Sequence, residues 1–316
     1  MTKSDQSHRF YYQITEAQGL EKLIDTRFSR LLKRSNLSLN DFIEQRIQVN
    51  DQTAVAATEL HPGDQISYLH FRSDETEYTY PIDIIYEDEQ LLAIEKPDCL
   101  TVVPTTTHYF NSVLNLMKER LQRPDLSPLH RLDIESSGVL LFSKYKEDRS
   151  ALQLLFENKQ VNKLYQTLVY GKFDPTIKTI SGDMKRNKSS AIYSKYYLDR
   201  AGQQTLTEIV EVNTSENFSE LVVRPVSGFT NQIRCHLADL GHSIIGDKKY
   251  FPDEQVYLDW FATDHLDERM ILDRQALHCR EISFKHPFSG KRIVINSDSR
   301  QFARKLKIVR DHFTTR

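Results

Sequence analysis

Three cysteines in 316 residues, Cys99, Cys235 and Cys279, are too scattered and too odd in number for a disulfide framework, and no C-x-x-C pair suggests a zinc site. Buried small side chains are their expected use. Long hydrophobic runs are lacking as well. No apolar stretch approaches the roughly 20 residues that span a bilayer, and the opening MTKSDQSHRF has no signal-peptide apolar segment, so a cytoplasmic protein without membrane association is expected. A basic excess is missing too: the formal net charge is −2, and any nucleic-acid surface must be local. The patterns G-x-G-x-x-G, G-x-x-x-x-G-K-[ST], G-x-S-x-G and H-E-x-x-H are absent, which removes the signatures of nucleotide cradles, hydrolase nucleophiles and zincins. The eleven histidines show no metal-ligand spacing. Chemistry without metal or cofactor is therefore expected.

What is present is globular: 39% hydrophobic and 27% charged residues, at a length that allows a catalytic core plus a smaller module. Leu20, Leu23, Ile24, Phe28, Leu31 and Leu32 fall at helical spacing, and Ser38 with Asp41 three positions on marks the start of a second short helix. A turn at Asp51-Gln52 and the tight turn His61-Pro62-Gly63-Asp64 then lead into the alternating strand Gln65–Leu69. This helix-helix-hairpin order resembles the alpha-L RNA-binding module. On that resemblance Arg30, Lys33 and Arg34, with Arg27, form a basic ridge suited to RNA phosphates, while an ordinary solvated helix face explains them equally well. Polar residues 71–79 read as a linker. The expected organisation is thus a module at 1–73, a linker at 74–80 and a catalytic domain at 81–316.

From Pro81 onward the order is mixed. A hairpin turns at Glu87–Gln90, helices span Val113–Leu121, Ala151–Phe156 and Gln232–Leu240, and strands are expected at Val139–Phe142, Leu164–Val169, Thr205–Val212, Leu221–Val226, Glu281–Phe284 and Arg292–Ile295. That order argues for an α+β domain with a mixed, largely antiparallel central sheet and flanking helices.

The charged cluster His130-Arg131-Leu132-Asp133 sits beside the apolar run Val139–Phe142. Asp133 precedes the turn Ser136-Ser137-Gly138, and alone it reads more readily as a turn cap than as a nucleophile. Arg131 shares its direction if the segment is extended. HRLDIESSGVLLFSK nevertheless resembles the H-R-L-D-x-x-T-S-G-L-L-L-F-A-K motif of the RluA-type pseudouridine synthases, with Ser136 in place of threonine. Four further stretches resemble that family's motifs in order: EKPDCLTVVP at 95–104, KLYQTLVYG at 163–171, SGFTNQIRCHLADLGHSIIGDKKY at 227–250 and QALHCREISFKHPFSG at 275–290.

The resemblance implies isomerisation of uridine in ribosomal or transfer RNA. It assigns Asp133 as catalytic nucleophile, Arg234 as its ion-pair partner and Tyr165 as a residue against the target base. Arg131 would fill the space left by an extruded nucleotide, and Lys96 would contact phosphate or the site rim. Lys185 and Arg186, in a basic cluster with Lys188, become candidate backbone contacts, as do Arg304, Lys305, Lys307 and Arg310. His130 is expected to be structural. Cys99, Phe229 and Asn231 depart from the motifs, the last two replacing an arginine and a histidine. A monomer is expected. The other reading is an RNA-binding or ribosome-assembly protein on the same fold that has lost activity through the altered 229–231 loop.

Overall fold

The computed structural model describes residues 6–192, 194–199 and 202–314. The chain divides into two compact units, one of Met1–Tyr80 with Val103–Gln122 and the other of Pro81–Val102 with Arg123–Arg316.

In the first unit the apolar positions at helical spacing, Leu20 to Leu31, are buried in one cluster with Phe42, Ile43 and Tyr68. The chain is helical from Leu20 to Ser35, with a π-helical stretch at Ile24–Phe28, and stops where Asn36 adopts a left-handed conformation. Ser38 caps the helix Leu39–Arg46 by accepting from the Asp41 amide at 3.2 Å. Strands Ile47–Val49 and Gln52–Thr53 join through Asn50 and Asp51, whose φ values of 51° and 62° suit a tight hairpin turn, one residue earlier than expected. Strand Ser7–Gln13, not foreseen from the sequence, pairs antiparallel with Gln65–Phe71.

The stretch expected as a linker is partly packed into this unit. Arg46 donates to both carboxylate oxygens of buried Asp74 at 3.2 Å. His70 Nε2 lies 2.7 Å from Glu75 Oε1, and the Glu75 carboxylate accepts from the amides of Tyr109, Phe110 and Asn111 at 2.5, 2.9 and 2.7 Å. A buried carboxylate needs such donors. Burial raises the Glu75 pKa, but the His70 bond and the three amides outweigh it and hold it at about 2. Through these bonds the segment 103–122 joins the first unit, so that unit differs from the contiguous 1–73 module expected.

Among the described residues the second unit carries an eleven-stranded sheet. Its spatial order is Tyr196–Asp199, Thr179–Arg186, Gln203–Thr214, Phe218–Pro225, Asn162–Tyr170, Leu277–Lys285, Ser137–Ser143, Leu91–Lys96 and Ile84–Glu87. Arg292–Asn296 pairs with Leu277–Lys285, and Ser127–Pro128 with Ser137–Ser143. Among the described strands every pairing is antiparallel except that of Ser137–Ser143 with Leu277–Lys285. The mixed, largely antiparallel sheet with flanking helices is as expected. Strand Ser137–Ser143 is buried along its whole length, as its continuous apolar run implies.

Glu95, on strand Leu91–Lys96, is buried, and neither of its carboxylate oxygens meets the geometry of a full hydrogen bond. Burial pushes its pKa up to about 7, against the pull of the nearby Ser297 hydroxyl. Because the folded-state pKa is raised, stability falls as pH climbs from the unfolded value near 4.5 to about 7 and is level above that. At pH 8 the ionised group costs the fold about 3 kcal/mol. Glu95→Gln is expected to raise the urea midpoint at pH 8 and to leave it nearly unchanged at pH 4.5; equal effects at both pH values would contradict this.

Candidate active site

The register of the sheet assembles the site. Gly138 pairs with Cys279, and Cys279 pairs with Tyr165, so three strands meet along one line. Gly138 has φ +107°, and a Cβ there would stand 2.2 Å from the Cys279 carbonyl oxygen, so glycine is required where the strand approaches its parallel neighbour. Five residues before it, Asp133 lies on the loop that enters this strand.

Buried groups fix that loop. Lys96, with 0% of its surface exposed, donates from Nζ to the carbonyls of Pro97, Ile134 and Ser136 at 2.7, 3.2 and 2.7 Å. The Ser136 amide donates to the Asp133 carbonyl at 3.1 Å, and Gln275 Nε2 donates to Ser136 Oγ at 2.7 Å. Lys96 is thus a brace beneath the loop. Its expected contact with RNA phosphate is excluded by burial, which lowers its pKa to about 7. His130 is also structural. Its Nε2 accepts from the Leu141 amide at 3.2 Å, its ring stacks on Phe156 at 5.3 Å, and burial lowers its pKa to about 3.

Helix Gln232–Asp239 brings Arg234 to the loop. Nη1 donates to Asp133 Oδ2 at 2.6 Å and to Asn231 Oδ1 at 3.0 Å. The other edge of the guanidinium is held by Asp247, with Nε to Oδ2 at 2.6 Å and Nη2 to Oδ1 at 2.8 Å. This fork-to-fork pair leaves Nη1 aimed at Asp133 in one orientation. Arg234 is mostly buried and the Asp247 side chain is 1% exposed, whereas a third of the Asp133 side chain reaches solvent. Burial raises the Asp133 pKa, but the charge and hydrogen bond of Arg234 outweigh it, so the carboxyl sits below its usual range. The arrangement is a fixed anion with an open face.

Tyr165 is buried, in register with Cys279 on the neighbouring strand, and both Cys279 and Asp133 act on its hydroxyl electrostatically. Burial, with Cys279 and Asp133 adding to it, pushes the phenol well above its usual pKa, so it stays protonated. The sequence thus named three residues that the structure brings together: Asp133, Arg234 and Tyr165. Arg131 is exposed and free to face a ligand. Lys185 and Arg186 lie on the outer strand pair, Lys185 3.3 Å from Asp199. Lys305 is removed from the basic surface, being buried with Nζ 2.7 Å from Asp98 and donating to the Gln275 carbonyl at 2.8 Å. In the first unit Arg30, Lys33 and Arg34 sit on one helix, and Arg34 donates to the Thr107 carbonyl at 2.7 Å.

Sequence reading missed Asp247, Gln275 and Lys249. Asp247 stood in plain view in the G-D-x-x-Y part of a recognised motif, but its role depends on a guanidinium thirteen residues away. Gln275 Nε2 reaches Asp133 Oδ2 at 3.5 Å, and no local pattern marks it. Among the described residues, no group of three or more His, Cys, Asp or Glu side chains could hold a metal ion. No helix among them is long and apolar enough to cross a membrane.

The mixed sheet with its flanking helices is the fold of the pseudouridine synthases, a class of isomerases. The RNA pseudouridylate synthase family matches residues 90–239. The dual-specificity RNA pseudouridine synthase RluA of Vibrio cholerae is 33% identical over 220 residues, 68% of this chain and 83% of that protein. YhcT of Bacillus subtilis, described as an uncharacterized RNA pseudouridine synthase, is 27% identical over 88% of this chain and 93% of its own length. The chain belongs to the RluA-type RNA pseudouridine synthases. The fold agrees with the solved structure of human RNA pseudouridylate synthase domain containing 1, at a TM-score of 0.57 and 19% identity over 70% of this chain and 86% of that one.

Proposed function

We propose that this protein isomerises particular uridines of ribosomal or transfer RNA to pseudouridine, with Asp133 as nucleophile, Arg234 as its fixed counter-ion and Tyr165 against the target base. The observation that carries this reading is the 2.6 Å bond from Arg234 to an aspartate whose other face is open. A carboxylate held ionised can attack or stabilise the ribose as the N1–C1′ bond breaks, as carboxylates do in glycoside cleavage. The detached uracil turns, C5 bonds to C1′, the C5 proton passes to solvent and N1 takes up a proton. Tyr165, kept neutral, offers a ring face to the base. Arg131 is suited to fill the place of a flipped nucleotide, and Arg30, Lys33, Arg34, Lys185 and Arg186 to meet phosphates. Arg234 supplies the cation that the aspartate needs, so the scheme calls for no metal.

The test uses RNA labelled with tritium at uridine C5. The purified protein, in buffer containing EDTA, is expected to release label from total RNA of its own host lacking the gene. Binding without release would favour the inactive RNA-binding reading.

A further inference from the structure

Phe229 and Asn231 stand where the resembling motif has an arginine and a histidine, so the loop leading into helix Gln232–Asp239 brings no cation of its own. Phe229 turns into an apolar cluster with Met184, Cys235 and Tyr250, its ring edge-on to Tyr196 at 5.1 Å. Asn231 adopts a left-handed conformation, accepts from Arg234 and donates to the Ser194 carbonyl at 3.4 Å. A cation reaches the same place from another segment. Lys249 donates from Nζ to Ser194 Oγ at 2.7 Å, and its ammonium lies 5.8 Å over the Tyr257 ring.

The surrounding charges give Lys249 its meaning. Asp133, Asp247 and Glu135 all act on it electrostatically, as does Arg234. Those carboxylates already have closer partners: Asp133 and Asp247 hold Arg234, and Glu135 holds Lys248 at 2.8 Å. Arg274 also acts on Glu135 and Lys96 on Asp133, so the carboxylates are met by other cations and Lys249 is a further positive charge at the site. Burial, and repulsion from Arg234, lower its pKa, so an added anion would stabilise the charged ammonium.

We propose that Lys249 is a substrate-binding residue whose ammonium receives a phosphate oxygen of the RNA strand at the reacting nucleotide, supplying the positive charge that the 229–231 loop lacks. The assignment rests on the reading that RNA uridine reacts at Asp133. It is tested by measuring the affinity for a labelled, uridine-containing stem-loop RNA across a salt series, with wild type, Lys249→Met, Lys249→Gln and Lys249→Arg. Loss of one phosphate contact is expected to flatten the slope of log affinity against log salt by about 0.7 to 0.9 in the Met and Gln variants. Affinity at low salt should fall roughly tenfold, and KM should rise more than kcat falls. Lys249→Arg should recover most of the affinity and the full slope.

An unchanged slope in both neutral variants, or an Arg variant as weak as they are, would overturn the assignment. Tritium release by the wild type separates the two readings. If the wild type is inactive the proposed reaction fails, and the binding slope still decides Lys249; if it is active and the slopes coincide, only Lys249 fails.

Discussion

Arg234→Ala is expected to lower the stability of the catalytic unit by about 3–5 kcal/mol and to abolish turnover, because it strands the buried Asp247 carboxylate without its charge partner. Activity alone would not then separate a catalytic role from a structural one. The double variant Arg234→Met/Asp247→Leu does. Removing both members avoids the stranded charge, so its urea midpoint should recover a good part of the loss, stopping short of the wild type because Asp247 Oδ1 also accepts from the amides of Lys249 and Tyr250 at 3.1 and 3.2 Å. Turnover should stay at least roughly 100-fold down, since Asp133 has lost the donor at 2.6 Å. The sign of the remaining pH dependence follows. In the wild type Arg234 outweighs burial and keeps the Asp133 pKa low; without it burial prevails, and the acid limb of the rate profile moves to higher pH. Recovery of activity together with stability would show that Arg234 only holds the fold.

Asp133→Asn is expected to cost at least roughly 10⁴-fold in turnover while the fold stays intact. The amide keeps the shape of the side chain and an oxygen to accept from Arg234, and the position is a third exposed, so the stability change should be about 1 kcal/mol or less. RNA affinity should be equal to or tighter than that of the wild type, because one negative charge has been removed from a polyanion site. Weakened binding that accounted for the whole loss of rate would place Asp133 in recognition instead.

What the sequence made legible was local. The run Val139–Phe142 became a buried strand because continuous apolar character admits little else, and Ser38 caps its helix as its spacing with Asp41 implies. Strands Thr179–Arg186 and Tyr196–Asp199 escaped notice because they form the sheet's outer pair and keep many polar, partly exposed residues. Helix Arg300–Thr314 read only as a basic cluster, since its buried positions Phe302, Lys305 and Val309 are spaced among many charges. Lys96 illustrates the harder limit. A lysine before proline looks solvated until the fold places three carbonyls around its ammonium. Likewise Asp133, Arg234 and Tyr165 could be named from motifs, but the orienting pair Arg234–Asp247 and the brace through Gln275 depend on contacts between distant segments.

Mapping pseudouridines in ribosomal and transfer RNA tests the central claim most directly, using host cells that carry the gene, lack it, or carry only its Asp133→Asn form. One or more sites should be uridine in the cells lacking the gene, return with the wild type and stay uridine with Asp133→Asn. An identical set of pseudouridines in all three, or their return with the asparagine form, would contradict it.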